Sequence, residues 1–281
     1  MIIVPQDGRE KDELLEKLDR EGTDYNVIHI YDRSVIILKK SNTDYGGHEI
    51  KRLYSRKFRE KTVVGVSGLN IGESLVIAAG PCSIESEDQL METASFVKKY
   101  GGDMIRGGAY KPRTSPYSFQ GLGKEGIRIL ERAKNELNMP VVTEIMNPSY
   151  YDDMRDIDML QVGSRNAQNF DLLRFLGRQN KPVLLKNGMG NTMKEWLDAS
   201  EYVLSGGNGN VVLCYRGVRG IEESTRFTMN TGTVIAAKSK THLPVCVDPS
   251  HASGSREYVE SIAMAAVASG ADMIEVEVHI D

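Results

Sequence analysis

The sequence predicts an α/β chain in which a (β/α)8 TIM barrel follows a small α+β module. From residue 62 onward, short apolar runs alternate with longer amphipathic segments, which is the pattern of right-handed β-α-β units with a parallel sheet. Eight such apolar runs occur, and eight parallel strands close into a barrel. Residues 1–61 follow a different pattern. We therefore place a small module at 1–61 and the barrel at 62–281, with a doubly wound sheet as the alternative to the barrel.

The N-terminal module shows a β-α-β-β pattern. "MIIV" predicts a strand, and "KDELLEKLDREG" (11–22) predicts an amphipathic helix that ends at Gly22. "YNVIHIY" and "SVIILKK" predict a hairpin around Asp32 and Arg33. The basic stretch "HEIKRLYSRKFREK" (48–61) is interpreted as a linker or a final strand with a solvated face.

The barrel elements follow in order after a short hairpin predicted at "VVGVSGLNIG". Proline opens several of the predicted strands, where its missing N–H costs least. The strands are expected at 75–80, 103–107, 140–144, 158–163, 182–186, 211–216, 244–248 and 273–278. The helices are expected near 87–100, 124–138, 148–155, 168–179, 192–205, 222–239 and 256–269.

Composition excludes several classes of function. The net charge of −4 argues against a general nucleic-acid footprint. No apolar run reaches membrane-spanning length, and "MIIVPQDGRE" has neither the basic start nor the apolar core of a signal peptide. The three cysteines form no CxxC motif and no even framework. We therefore expect a cytoplasmic protein with reduced thiols that binds neither nucleic acid nor membrane.

Polar or reactive side chains follow each predicted barrel strand. The carboxyl ends of barrel strands carry the chemistry in this architecture, so we expect these side chains to share one rim. In chain order they are Cys82, Arg106 with Lys111 and Arg113, Glu144, Arg165, Lys186, Arg216, Asp248 with His251, and Glu277 with His279.

Six of these residues are cations, and three of them lie on one stiffened loop. The stretch "IRGGAYKPRTSPYSFQG" (105–121), here called the anion-binding loop, carries Arg106, Lys111 and Arg113 without any acidic residue. Arginine and lysine suit phosphate and carboxylate groups, and six cations exceed what one phosphate monoester needs. We infer substrates that together carry two phosphates and a carboxylate. An ordinary ion pair with a neighbouring carboxylate remains the alternative for any single cation.

Cys82, His251 and Glu277 form a second chemical set. Thiolate, imidazole and carboxylate together suit Mn²⁺, Fe²⁺, Co²⁺ or Zn²⁺. The three residues follow strands 1, 7 and 8 of the predicted barrel, which are adjacent in a closed barrel. A Cys-His nucleophile pair and an inert buried thiol are the alternatives for Cys82. Cys214 and Cys246 lie in apolar runs and are expected in the core, and His29 and His242 are expected to be structural.

Several motifs together resemble the class I 3-deoxy-D-arabino-heptulosonate 7-phosphate (DAHP) synthases of the compact type with a small N-terminal module. They are "AGPCSIE", "RGGAYKPRTSPYSFQGLG", "VGSRNAQNF", "KPVLLKNGMGNT", "RGVRG" and "LPVCVDPSH". "KPRTSP" points to this family rather than to the similar KDO8P synthases. The resemblance implies a TIM barrel that condenses phosphoenolpyruvate with erythrose 4-phosphate, releasing phosphate, at the first step of the shikimate pathway.

The resemblance also implies roles for individual residues. Cys82, His251 and Glu277 match three of four metal ligands, and Lys111, Glu144 and His251 are the candidates for catalysis. Phosphoenolpyruvate would be held by Arg106, Lys111, Arg165, Lys186 and Arg216. Erythrose 4-phosphate would lie against Lys111, Pro112, Arg113 and Thr114. A ferredoxin-like module that senses tyrosine or phenylalanine, and a homotetramer, are implied as well.

Two departures from the family pattern lead to further expectations. The family's fourth ligand is an aspartate after strand 8, followed by an eighth helix, whereas this sequence ends at "VEVHID"; both features are therefore expected to be missing. A second helix of the module is hard to find between Lys40 and His48. The alternative functions are a KDO8P-type synthase, an impaired barrel that binds a ligand or partner, and a Schiff-base aldolase using Lys186.

Overall fold

A computed structural model of the chain describes residues 1–39, 49–50, 52–113 and 115–280. The stretch in which the second module helix was sought, Thr114 of the anion-binding loop, and Asp281 lie outside the described residues. None of the described helices is long and apolar enough to cross a membrane.

The N-terminal module is a four-stranded antiparallel sheet with one helix among its described residues. Its sheet has the strand order β2-β3-β1-β4. The elements are β1 (Ile2–Ile3), α1 (Gly8–Arg20), β2 (Tyr25–Ile30), β3 (Arg33–Leu38) and β4 (Glu49–Ile50). The helix begins three residues before the predicted start at residue 11, because the side chain of Asp7 accepts a hydrogen bond from the backbone N–H of Glu10 (2.8 Å). The buried side chain of Leu18 then joins Ile3 and Ile36 in a small core.

Residues 64–277 form the predicted closed barrel of eight parallel strands. Pairing of the last strand with the first, as in Ile274 with Ile77, closes the barrel and rules out the doubly wound alternative. A short hairpin comes first, formed by β5 (Val64–Val66) and β6 (Leu69–Ile71). The barrel strands are β7 (Val76–Gly80), β8 (Met104–Arg106), β9 (Val141–Glu144), β10 (Met159–Val162), β11 (Val183–Lys186), β12 (Val211–Tyr215), β13 (Val245–Val247) and β14 (Met273–Glu277).

Helices surround the barrel, and two of the predicted ones differ from expectation. The helices are α2 (Glu87–Lys99), α3 (Lys124–Leu137), α4 (Phe170–Gly177), α5 (Met193–Leu204), α6 (Thr231–Lys240), α7 (Pro249–Ser253) and α8 (Arg256–Ala268). The helix expected at 148–155 is two short 3-10 turns, Pro148–Tyr150 and Asp152–Met154. The helix expected at 222–239 starts only at Thr231. The preceding residues fold back instead as a loop, in which the N–H groups of Arg226 and Phe227 donate to carbonyls of α7.

The interior of the barrel determines where a ligand can bind. Its lower layers are filled by an apolar cluster that includes Met104, Leu184 and Met273, and the β5–β6 hairpin packs against this cluster. Cys214 and Cys246 lie in it as well and are fully buried, as predicted. The amino-terminal end of the barrel is therefore filled, and the open end lies at the carboxyl ends of the strands.

Candidate active site

A polar cleft of about 140 Å³ lies at the carboxyl ends of the barrel strands. It contains every described residue that the sequence singled out for catalysis, substrate binding or metal binding. These residues are Cys82, Arg106, Lys111, Pro112, Arg113, Glu144, Arg165, Lys186, Arg216, His251 and Glu277. His279 was expected at the same rim, but it lines a neighbouring surface depression rather than the cleft. The expectation for His279 was therefore wrong, because this exposed residue lies beyond the end of β14.

Cys82, His251 and Glu277 converge although 195 positions separate the first from the last in the chain. One ligand atom from each residue lies within 4.8 Å of the others. The Nε2 atom of His251 lies 3.3 Å from Oε1 of Glu277. A thiolate, an imidazole and a carboxylate at this spacing fit a mid-series divalent ion. Among the described residues this is the only such group of three potential metal ligands.

Asp248 determines how His251 is presented. Its carboxylate caps α7 by accepting a hydrogen bond from the backbone N–H of His251 (2.9 Å) and also lies 2.6 Å from Nδ1 of the same ring. Because Nδ1 is engaged by Asp248, Nε2 is the ring nitrogen that faces Cys82 and Glu277. Pro249 occupies the first turn of α7, where its missing N–H costs nothing.

The charges around Cys82 and Glu277 favour the deprotonated forms of the thiol and the carboxyl group. Burial alone would raise the pKa of Glu277, but Arg106 and His251 outweigh it and hold the pKa at about 2. Burial would likewise raise the pKa of Cys82, but a hydrogen bond with His251 and the charge of Lys111 lower it below the ordinary thiol value. A lowered thiol pKa favours the thiolate, which is the form that binds metal.

Arg106 and Lys186 are buried and lie against carboxylates. The Nζ atom of Lys186 lies 2.5 Å from Asp248 and 2.6 Å from Glu275. Arg106 lies 3.3 Å from both Glu275 and Glu277. Burial would lower the pKa of each cation, but the carboxylates raise it above the ordinary value. Both residues therefore keep their charge at the floor of the cleft.

Lys111 projects from the anion-binding loop towards the candidate metal ligands. Its Nζ atom donates to the carbonyl of Cys82 (2.6 Å) and lies 3.3 Å from Sγ of the same residue. Gly108 makes this approach possible, since a Cβ atom there would lie 2.7 Å from both the Lys111 side chain and the Cys82 carbonyl. Arg113 lies further out on the same loop, where its Nε donates to the carbonyl of Phe119 (3.1 Å).

Arg216 has an unsatisfied buried group. Its guanidinium lies 3.7 Å from the ring centroid of Phe227, and its Nη1 atom is buried without a hydrogen-bond partner among the described residues. Burial lowers its pKa to about 10. A buried, unpartnered guanidinium N–H is costly unless a ligand accepts its hydrogen bond. This geometry indicates an anion-binding position.

Glu144 is the buried acid of the cleft. Burial raises its pKa, although Lys111 and Lys186 oppose the change. A Cβ atom at Gly163 would lie 2.0 Å from Oε1 of Glu144, so the carboxyl group occupies the space that a side chain would need there. A carboxyl group with a raised pKa is a candidate for proton transfer to and from a substrate.

Several residues of this site were not predicted from the sequence, among them Glu275, Arg226 and Phe227. Glu275 pairs with two cleft cations, and its signal was the spacing in "MIEVEV", which places it on the same strand face as Glu277. Arg226 and Phe227 line the cleft but were assigned to a helix that begins later. Asp248 was predicted at a strand end, but the sequence alone did not show its contacts with His251 and Lys186 and therefore assigned it no role.

Comparisons with known proteins agree with this geometry. A family model described as the DAHP synthetase I family matches residues 61–281. Phospho-2-dehydro-3-deoxyheptonate aldolase of Thermotoga maritima is 47% identical over 81% of this chain and 68% of its own length. A 2-dehydro-3-deoxyphosphooctonate aldolase of Geobacter sp. (strain M21) is 32% identical over 79% of this chain and 86% of its own length.

Solved structures give the same result. The crystal structure of DAHP synthase from Thermotoga maritima superposes with a TM-score of 0.79 at 39% identity, covering 99% of this chain and 88% of that one. A truncated form of the Thermotoga maritima enzyme superposes with a TM-score of 0.74 at 42% identity, covering 81% of this chain and 84% of that one. The fold, the clustered site residues and the family model together show that the chain belongs to the DAHP synthetase I family.

Proposed function

We propose that the protein condenses phosphoenolpyruvate with erythrose 4-phosphate to give DAHP and inorganic phosphate, the first step of the shikimate pathway. Carbon 3 of phosphoenolpyruvate forms a bond to the aldehyde carbon of the sugar phosphate. Water adds at carbon 2, and the bond between carbon 2 and the phosphate oxygen breaks. Membership of the DAHP synthetase I family supports this function. The observation that carries it is the cleft in which Arg216 lies with Arg165, Lys186 and the Cys82-His251-Glu277 group, and in which Nη1 of Arg216 has no hydrogen-bond partner among the described residues.

The cations of the cleft suit the anionic groups of these two substrates. We assign Arg106, Lys111, Arg165, Lys186 and Arg216 to phosphoenolpyruvate. We assign Lys111, Pro112 and Arg113 to erythrose 4-phosphate, together with Thr114, which lies outside the described residues. The deep position of Arg106 and Lys186 and the outer position of Arg113 support this division. The larger number of cations is thus assigned to phosphoenolpyruvate, the substrate that carries both a phosphate and a carboxylate.

We further propose that Cys82, His251 and Glu277 hold a divalent ion, Mn²⁺, Fe²⁺, Co²⁺ or Zn²⁺. When bound, such an ion supplies Lewis-acid polarisation of a carbonyl oxygen. The contribution of the protein is to lower the pKa of the Cys82 thiol and of the Glu277 carboxyl group and to direct the His251 Nε2 atom towards them. Asp248 maintains that direction from behind the ring.

Proton transfer is assigned to two residues of the cleft. Burial raises the pKa of Glu144 above that of an exposed carboxyl group, so that it holds a proton to higher pH than an exposed carboxyl group does. Lys111 places its ammonium group beside Cys82. We propose that these residues exchange protons with the substrates as carbon 2 is hydrated and phosphate departs.

The direct test measures phosphate release by the purified protein with both substrates and Mn²⁺. Release with erythrose 4-phosphate, and little release with arabinose 5-phosphate, is expected. The reverse preference would support the KDO8P-type alternative, which relatives such as the Geobacter protein make the second candidate. Borohydride in the presence of substrate should trap no adduct on Lys186, because its Nζ is held protonated by Asp248 and Glu275.

The N-terminal module is assigned a regulatory role as part of the proposal. We propose that it senses tyrosine or phenylalanine, that the enzyme is a homotetramer, and that it works in the cytoplasm with its three free cysteines reduced. The module has its own antiparallel sheet, separate from the barrel and preceding the cleft residues in the chain, and this supports a separate sensing element. Inhibition assays with each amino acid and sedimentation analysis test these points. Lack of inhibition by both amino acids would contradict the sensing role.

A further inference from the structure

We propose that Glu275 is a positioning residue, whose carboxylate holds Arg106 and Lys186 at the separation that the bound phosphoenolpyruvate anion needs. The inference rests on the proposed function and extends it to a residue that does not line the cleft. Glu275 lies behind the two cations and is only 1% exposed, so it acts on the substrate only through them.

The two oxygens of Glu275 each contact a different cation. Oε1 accepts a hydrogen bond from Nε of Arg106 (3.3 Å), and Oε2 lies 2.6 Å from Nζ of Lys186. Arg106 lies on β8 and Lys186 on β11, and these strands are not neighbours in the barrel. The carboxylate on β14 therefore connects two strands across the barrel interior that no backbone hydrogen bond joins.

Other carboxylates of the network contact only one of the two cations. Asp248 pairs with Lys186, and Glu277 pairs with Arg106. Among the described residues, Glu275 is the only carboxylate that forms ion pairs with both. Without Glu275, Arg106 would keep only Glu277 and Lys186 would keep only Asp248 as carboxylate partners among the described residues. No shared group would then fix the distance between the two cations.

The chemistry of a carboxylate is essential to this arrangement. A carboxylate offers two acceptor oxygens, whereas an amide offers one acceptor and one donor group. In Glu275→Gln the amide N–H groups would therefore face Arg106 or Lys186, and one cation would be displaced. Glu275→Asp keeps both acceptors on a shorter side chain and should restore part of the arrangement.

An alternative role predicts the opposite result. If Glu275 served only as a counter-charge, its removal would make the cleft more positive and would strengthen the binding of an anion. A positioning role predicts weaker binding despite the added positive charge. The sign of the change in affinity therefore separates the two roles.

The experiment measures dissociation constants of phosphoenolpyruvate and inorganic phosphate by calorimetry, with the full-length protein and its two Glu275 variants. Steady-state constants for both substrates are measured in parallel. In Glu275→Gln the Kd and KM for phosphoenolpyruvate should rise by about tenfold or more, as expected for one lost charge-assisted hydrogen bond. The KM for erythrose 4-phosphate should stay unchanged. The phosphoenolpyruvate Kd of Glu275→Asp should lie between those of Glu275→Gln and the wild type. Glu201→Gln removes another largely buried carboxylate, on α5 and outside the cleft, and should leave the phosphoenolpyruvate Kd unchanged.

Several outcomes would overturn the proposal. Unchanged phosphoenolpyruvate binding in Glu275→Gln would refute the positioning role, and tighter binding would assign Glu275 a counter-charge role. Equal increases in both KM values would indicate general damage. If Glu275→Gln does not fold, Glu275→Asp decides by the same criteria. A wild-type protein that binds phosphoenolpyruvate but releases no phosphate would refute the proposed reaction, while the Kd comparison would still judge Glu275. Absence of binding of both anions by the wild type would refute both proposals.

Discussion

Arg165 and Arg113 lie on different loops of the cleft and should have separable effects on the two substrates. Arg165 follows β10 on a short 3-10 turn, and Arg113 lies on the outer part of the anion-binding loop. Arg165→Ala should raise the KM for phosphoenolpyruvate by about tenfold or more, because a charge-assisted hydrogen bond contributes about 1.5–3 kcal/mol. Arg113→Ala should instead raise mainly the KM for erythrose 4-phosphate. Steady-state kinetics with each substrate varied in turn measures both effects.

Arg128→Ala provides the matched control for these two substitutions. Arg128 is an exposed arginine on α3 that forms an ion pair with Glu125 at the surface, and its loss should change neither KM. If Arg165→Ala raised both KM values equally, the assignment of Arg165 to phosphoenolpyruvate would be wrong.

Metal affinity should fall with decreasing pH, because protons compete with the metal for His251 and Cys82. Burial lowers the pKa of His251, but Asp248 raises it more, so the pKa lies above its ordinary value of 6.5. A proton competes with metal for the ring. Affinity should therefore decline as the pH drops through the raised pKa of His251, whereas Glu277 stays ionised down to about pH 2. Titration of the chelator-treated protein with Mn²⁺ at several pH values measures this.

The variant Asp248→Asn tests the cause of that pH dependence. Without the carboxylate, the pKa of His251 should fall, and the loss of metal affinity should shift to lower pH. Cys82→Ala should weaken metal binding at every pH. An affinity that stays constant between pH 8 and about pH 5 would contradict a metal site that contains His251.

Strand-end residues could be predicted from the sequence, whereas their buried partners could not. Cys82, His251 and Glu277 were recognised because barrel topology brings strands 1, 7 and 8 together. Glu275 was missed because an acidic residue inside an apolar strand gives no sign of the cations that neutralise it. Those cations, Arg106 and Lys186, come from other strands, and the contacts exist only in three dimensions.

At the scale of elements, residues 52–61, which follow the module sheet, contact the barrel through Glu201 of α5. Its Oε1 atom accepts a hydrogen bond from the backbone N–H of Tyr54 (2.8 Å). Burial raises the pKa of Glu201 from 4.5 to about 7, against the opposing effects of this hydrogen bond and of Arg52, while Asp198 adds to the rise. Between pH 4.5 and about pH 7, Glu201 therefore holds a proton in the folded state and has released it in the unfolded state.

The stability contributed by protonated Glu201 is therefore full below about pH 4.5 and is lost as the pH rises to about 7. The difference amounts to about 3 kcal/mol, since one pKa unit corresponds to about 1.4 kcal/mol. Glu201→Gln mimics the protonated form and should increase the unfolding free energy at pH 8 by up to that amount. Urea unfolding at pH 5 and pH 8 measures it. Glu92→Gln, at an exposed position of α2, is the control. A variant as unstable as the wild type at pH 8 would contradict the raised pKa.

Most elements could be predicted from apolar periodicity, and the exceptions have physical causes. All eight barrel strands and the β2–β3 hairpin lie where the apolar runs of the sequence predicted them. The stretch 222–230 has a composition compatible with a helix, but its backbone pairs Val218 with Thr228 and its N–H groups bond to α7. Tertiary contacts thus override local propensity in the loop that brings Phe227 to Arg216.

At the scale of the whole molecule, the sequence pattern and the contacts of residues 52–61 place the boundary between module and barrel at different positions. The predicted boundary at residues 61 and 62 follows the change in sequence pattern. Leu53 and Phe58 are buried in a cluster that contains residues of both the module sheet and the barrel. Hydrogen bonds to the barrel, such as the one from the backbone N–H of Arg56 to the carbonyl of Lys240 (3.3 Å), favour a boundary nearer residue 51. His242 also joins this segment to the barrel, with Nε2 2.7 Å from the carbonyl of Leu53. Burial lowers the pKa of His242 to about 4, which fits the structural role expected for it.

Two truncations distinguish these boundaries. A chain that starts at residue 52 loses the module sheet but keeps Leu53, Phe58 and the hydrogen bond to His242. It should retain the kcat of the full-length protein and lose any inhibition by tyrosine or phenylalanine. A chain that starts at residue 62 should be less stable by about 3–6 kcal/mol, the transfer free energy of two large apolar side chains. That loss is a large fraction of the 5–15 kcal/mol typical of a folded domain, so the shorter chain should unfold at much lower urea concentration. Equal urea midpoints for the two truncated chains would instead place residues 52–61 with the module and support the boundary at 61.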